Sequence, residues 1–154
     1  MSSSNNIKSK IHQYLLTILR KKIDVIEKQD KEASMGAQNE TKSSSGDKYE
    51  TARAMMYLEK ERLAVQMEEL RKIHKTLRLI DPTITCKKGK LGALVFTSWK
   101  NFFIAAPMMG EHTIGQTAYL CISPVSPIGR ILMGAKETDV KEFRGEKLMI
   151  NKIL

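Results

Sequence analysis

Cysteine is nearly missing from this chain of 154 residues: only Cys86 and Cys121 occur, far apart and outside any Cys-x-x-Cys spacing. A disulfide framework or a structural zinc site needs more than that, and two isolated cysteines read as reduced thiols of a cytoplasmic protein. Histidine is scarce too. His12, His74 and His112 form no His-x-x-x-His pair, and no nucleophile elbow or glycine-rich phosphate loop is present. These gaps argue against a self-sufficient enzyme. The apolar stretch Asn101 to Gly110 carries Pro107 and is too short to span a bilayer. Residues 1–6 are polar and lack the apolar core of a signal peptide. Aromatic residues make up 6%, which leaves little material for the concave aromatic pocket of a prolyl isomerase.

What the chain does have is basic charge and two distinct periodicities. The formal net charge is +9. Residues 1–80 carry 16 basic and 11 acidic side chains, and residues 81–154 carry 10 and 6, so no basic arm stands out. Charge spread this way favours solubility and attraction to any polyanion. None of the common DNA-reading modules is recognisable, so no sequence-specific DNA binding is expected.

From Ile7 to Ile26 apolar residues recur at helical spacing, with Ile11, Ile18 and Val25 seven apart and no proline or glycine between them. Residues 27–34 are almost wholly polar. A second helix is expected from about Asp47 to Ile80, where Met56, Leu63, Leu70 and Leu77 repeat every seven residues and Pro82 ends the run. Joined by a loop over 33–46, the two predict an antiparallel helical hairpin whose turn end is hydrophilic and projects into solvent. A coiled-coil spacer or dimerisation element is the plainer alternative.

From Lys90 the period falls to two. Strands are expected over 91–97, 101–105, 117–123, 140–144 and 147–153, with 107–116 a loop. Ser126 suits a helix N-cap, Pro127 the first helical position and Gly134 the stop. The expectation is an α+β chain: residues 1–81 a helical hairpin with an acidic tip near 40–52, residues 82–154 a small antiparallel sheet domain with one short helix.

The cluster expected at the turn end is Ser43-Ser44-Ser45-Gly46-Asp47-Lys48-Tyr49-Glu50. Asp47 and Glu50 are three apart, which puts two carboxylates on one face of a first helical turn. The pattern also fits a capping box, with Asp47 the cap and Glu50 returning a hydrogen bond. As ligands, two carboxylates are hard oxygen donors for Mg²⁺, too few for a cage but enough to complete a site supplied by another molecule.

The run Ile122-Ser123-Pro124-Val125-Ser126-Pro127-Ile128-Gly129-Arg130-Ile131-Leu132-Met133-Gly134-Ala135-Lys136 resembles the C-terminal signature of the bacterial Gre transcript-cleavage factors. Gly46-Asp47-x-x-Glu50-x-Ala52 is similar to that family's acidic tip, and the order of hairpin then sheet matches as well. Lys48, Thr51, Arg53 and Thr138 depart from the family pattern. The resemblance implies an FKBP-like C-terminal domain that docks on RNA polymerase, supported by Ser126, Pro127, Gly129, Arg130 and Gly134. It implies a hairpin passed down the secondary channel, with Asp47 and Glu50 assisting cleavage of backtracked RNA. The Mg²⁺ would be shared with the polymerase, with no cofactor held in isolation, and nascent RNA would be met indirectly by a monomeric, cytoplasmic factor. Arg20-Lys21-Lys22 and Arg71, Lys72, Lys75 and Arg78 would favour approach to acidic surroundings or to extruded RNA. A non-cleaving regulator of the same channel is the alternative, because some relatives bind without stimulating cleavage.

Overall fold

The computed structural model describes residues 2–40 and 46–154, and the side chains of 6–36, 46 and 48–154. Two long helices come first, α1 (Ser2–Glu40) and α2 (Gly46–Leu79). Strands β1 (Leu94–Thr97), β2 (Asn101–Ile104), β3 (Glu111–Ile114) and β4 (Thr117–Ile122) follow, then α3 (Pro127–Leu132), β5 (Val140–Phe143) and β6 (Glu146–Ile153). The class is α+β, as expected. No helix among the described residues is long and apolar enough to cross a membrane.

The chain forms two compact units: residues 1–16 with 75–154, and residues 17–74. In the second unit Leu19, Leu63 and Ile73 are buried. Lys60 on α2 reaches α1, donating to Ser34 Oγ at 2.6 Å and lying 3.8 Å from Asp30 Oδ1. The expected 33–46 loop is overturned over most of its length, because α1 continues to Glu40 and α2 is helical from Gly46. Residues 31–40 contain Lys, Glu, Ala, Met and Gln and no proline, so helix propensity carries α1 on past Gly36, and none of the side chains of 31–36 is buried. Residues 41–45 lie outside the described residues.

The seven-residue spacing of Ile11, Ile18 and Val25 is not the buried seam either, since Val25 is exposed. Lys8, Ile11, Leu15 and Leu19 are the buried positions, spaced by three and then four as on a straight helix. Lys8 is wholly buried and donates to Ile84 O at 2.6 Å and Cys86 Sγ at 3.6 Å. His12 Nε2 is 2.6 Å from Leu77 O near the end of α2. Beyond Pro82 the chain turns on Asp81, whose Oδ1 accepts from Thr83 N (2.9 Å) and Oγ1 (2.6 Å), holding the carboxyl below its usual pKa range.

The six strands are ordered β3-β4-β2-β1-β6-β5. All neighbours are antiparallel except β2 and β4, which pair in parallel from Phe102–Leu120 to Ile104–Ile122. The sheet is not purely antiparallel, and the segment expected as loop 107–116 contains β3, an edge strand turned back onto β4 at Gly115 (φ +62°). The first strand starts at Leu94 rather than Leu91, because Gly92 takes φ +89° and packs against Ile80.

One face of the sheet gathers Val95, Phe102, Ile104, Ile122, Leu148 and Ile150 with Ile128 and Leu132 of α3. Burying each such side chain stabilises by about 1.5–3 kcal/mol. Leu94, Phe103, Tyr119 and Cys121 are buried as well. The His112 ring meets Tyr14 of α1 edge-on at 5.3 Å and lies 6.0 Å from Tyr119. Burial pushes the Tyr119 phenol up, and its hydroxyl is buried without a hydrogen-bond partner among the described residues.

Candidate functional site

The sequence-expected residues fall into two groups, one in each unit. Asp47 and Glu50 lie in the first two turns of α2. Because α2 is helical from Gly46, Asp47 sits inside the helix rather than at the cap before it, which corrects the capping-box reading. Glu50 is exposed, as are Lys48 and Thr51; the Asp47 side chain lies outside the described residues. One turn beyond Glu50, Arg53 donates to Tyr57 Oη at 3.2 Å and lies 5.5 Å from that ring's centre. The cation that interrupts the acidic pattern is thus drawn along the helix toward its C-terminal end. A carboxylate pair at this spacing has the hard oxygen donors that Mg²⁺ prefers, but it supplies at most two protein ligands. Among the described residues no three His, Cys, Asp or Glu side chains gather in a metal-binding group.

The second group builds the approach to α3. Ser126 Oγ donates to Ser123 O at 2.7 Å and accepts from Gly129 N at 3.1 Å, so one hydroxyl closes the loop and caps the helix. Gly129 has no room for a side chain: a Cβ there would lie 2.0 Å from Ser123 O. Gly134 ends the helix at φ +78°. These three residues set the shape of the segment, while Val125, Pro127, Arg130 and Met133 are exposed on it.

Gly89 was missed by sequence reasoning. It donates to Ala135 O at 2.8 Å and accepts from Gly134 N at 2.7 Å, and a Cβ on it would lie 1.7 Å from Leu132 O. The only local hint is a glycine between lysines, Lys87-Lys88-Gly89-Lys90, in a segment with no periodicity.

Both basic groups named from sequence, Arg20-Lys21-Lys22 and Arg71, Lys72, Lys75 and Arg78, are exposed on their helices. His74 is half-buried on α2.

No protein-family model matches the chain, and no curated protein matches it. Among solved structures, that of the transcription factor Gfh1 aligns with 90% of this chain and 92% of its own, at 19% identity and a TM-score of 0.35. A score of that size carries no assignment of fold or function.

Proposed function

We propose that this chain is an accessory factor of RNA polymerase that enters the secondary channel and stimulates Mg²⁺-dependent cleavage of backtracked RNA. The observation that carries the proposal is the folded form of the signature-like run. Ser123 directly follows β4, Ser126 caps a short helix, Gly129 seats it and Gly134 stops it. The signature resemblance asks for the serine after the strand, the Ser-Pro start of the helix and the closing glycine. A second support is the long α1–α2 pair, with Glu50 exposed at the start of α2.

In this reading the chain is not itself the nuclease. Asp47 and Glu50 are the residues that would hold Mg²⁺, jointly with ligands of the polymerase, and the ion would supply charge neutralisation and an activated water for phosphodiester attack. Glu50, at the solvent-facing start of a helix roughly 50 Å long, has nothing to desolvate until it meets that partner. Pro127, Arg130 and Val125 are the exposed residues that would touch the polymerase surface, held by Ser126, Gly129 and Gly134. The factor would act inside the cell as a monomer.

A second reading, docking without cleavage, is favoured by one observation. Lys48 is exposed beside the acids, and Arg53 stands one turn beyond Glu50. A cation beside them, Lys48 more than the Tyr57-bound Arg53, weakens the pull of two carboxylates on a divalent ion.

Two experiments separate the readings. Capture of core RNA polymerase by the tagged chain is required by both, and its absence refutes both. Stalled elongation complexes given the chain and Mg²⁺ should yield shortened transcripts, and Asp47→Ala/Glu50→Ala should abolish the shortening. Capture with no shortening, or with shortening equal in the double variant, leaves the non-cleaving reading.

A further inference from the structure

A cleft of about 510 Å³ opens beside the β1–β2 turn and the β5–β6 hairpin, with Trp99, Phe143, Arg144, Glu146 and Lys147 in its lining. That volume suits one small organic ligand or a single nucleotide unit. The cleft is built from rigid parts. Thr97 Oγ1 accepts from Trp99 N and Lys100 N, each at 3.2 Å, and donates to Lys100 O at 2.7 Å. Ser98 is bonded twice to Met149 of β6, through its backbone N and through its Oγ. Trp99 therefore stands on a braced turn, yet it is 57% exposed. Phe143 lies nearly parallel to it, with ring centres 6.4 Å apart and planes inclined by 28°.

Cations surround these rings. Lys100 Nζ is 5.5 Å from the Trp99 ring centre and 3.4 Å from Glu111 Oε1. Arg144 Cζ is 5.0 Å from the Phe143 ring centre. Arg144 holds φ +52°, a conformation disfavoured for arginine and better suited to asparagine or glycine. Among the described residues neither Arg144 nor Lys147 has an acidic partner within 4.0 Å. Glu146 is the one carboxylate in the lining.

Flat apolar faces beside two cations that lack an acidic partner, Arg144 and Lys147, suit a ligand that alternates planar rings with negative charges. Single-stranded nucleic acid does this, because its bases stack on aromatic side chains while its phosphates meet lysine and arginine. An acidic peptide brings the charge without the rings, and a duplex hides its base faces. Glu146 would repel phosphate but accepts a hydrogen bond from a ribose 2′-hydroxyl, which DNA lacks. We propose that the Trp99–Phe143 cleft binds single-stranded RNA, with a base stacked on the rings and flanking phosphates against Arg144 and Lys147. The proposal stands whether or not the chain binds polymerase.

Trp99 is the only tryptophan, so its emission reports on the cleft directly. Titration of the full chain with octauridylate at low salt should quench it saturably. Anisotropy of labelled octauridylate should show binding about 5- to 100-fold weaker in Trp99→Leu, the loss of one stacking platform. Arg144→Asn is the companion variant. It suits the left-handed turn, so the melting temperature should hold or rise while affinity falls and the salt slope drops by about one. Absence of quenching, or unchanged affinity in both variants, overturns the proposal. Equal affinity for octathymidylate overturns the assignment to RNA, and equal competition by polyglutamate or duplex RNA assigns the cleft to another partner.

Discussion

Lys8→Met tests the physical reading of the foot of α1. Lys8 is wholly buried, and among the described residues no carboxylate lies within 4.0 Å of its ammonium. Its hydrogen-bond acceptors are the Ile84 carbonyl and the Cys86 sulfur. Burial therefore pushes its pKa below the usual 10.5. The sign follows from linkage. Between the lowered folded value and 10.5 the unfolded chain holds a proton that the folded chain has released, so stability rises with pH across that window. Below the folded value the whole penalty stands, about 1.4 kcal/mol for each unit of depression. Methionine keeps the apolar stem and removes the charge, at the cost of the stronger of the two hydrogen bonds to the carbonyl of half-exposed Ile84, about 1 kcal/mol and independent of pH. Urea unfolding followed by Trp99 emission at pH 7, 8, 9 and 10 gives the difference between wild type and variant, in which titrating groups remote from Lys8 cancel, and the same pair on a Cys86→Ala background removes the thiol that touches it. That difference should move toward the wild type as pH rises through the window. A constant difference across pH 7–10, or one moving toward the variant, refutes the claim that Lys8 is folded in at an electrostatic cost.

Three further outcomes are expected. Gly129→Ala, which in an open helix would stabilise by up to about 1 kcal/mol, should destabilise here by several times that, because the new Cβ would meet Ser123 O; a thermal melt unchanged or raised would refute the close packing. Ser126→Ala should cost about 1 kcal/mol, within the range of roughly 0.5–2 for a lost N-cap, read as a lowered urea midpoint with unchanged slope. Burial pushes the Cys121 thiol up to about 11, so the stability it holds below pH 9 should be lost between pH 9 and 11, by roughly 3 kcal/mol in all; Cys121→Ala should remove that loss from the pH profile.

The parts of the fold legible in sequence are those where one residue type answers to one local force. Of the heptad positions read from spacing, Ile11, Leu63 and Leu77 are buried, Ile18, Met56 and Leu70 are half-buried and Val25 is exposed. Proline, serine and glycine chemistry found α3 to within a residue at its end. Lys8 was illegible because a lysine in a helical stripe reads as a solvent residue, and its acceptors, the Ile84 carbonyl and the Cys86 sulfur, lie 76 and 78 positions away. β3 hid because Glu111–Ile114 is a short edge strand with no fully buried residue. The glycine of its two-residue turn, Gly115-Gln116, was the available sign. The parallel pairing of β2 with β4 is set by which strand lies beside which, and periodicity carries no record of that. The same holds for the cleft, whose two rings come from the β1–β2 turn and the end of β5, 44 residues apart. Around the acids the sequence supplied the residues, and the helix start at Gly46 corrected the role of Asp47 as a cap.

The unit that contains the sheet is discontinuous, made of residues 1–16 and 75–154. During vectorial synthesis the opening helical turns leave the ribosome long before the strands they belong with exist. Ile11 and Leu15 must wait uncovered, and trimming the N-terminus by a dozen residues should unravel a domain that lies mostly at the far end of the chain. The intervening segment carries no such obligation: shortening it by matched helical turns should leave the sheet intact.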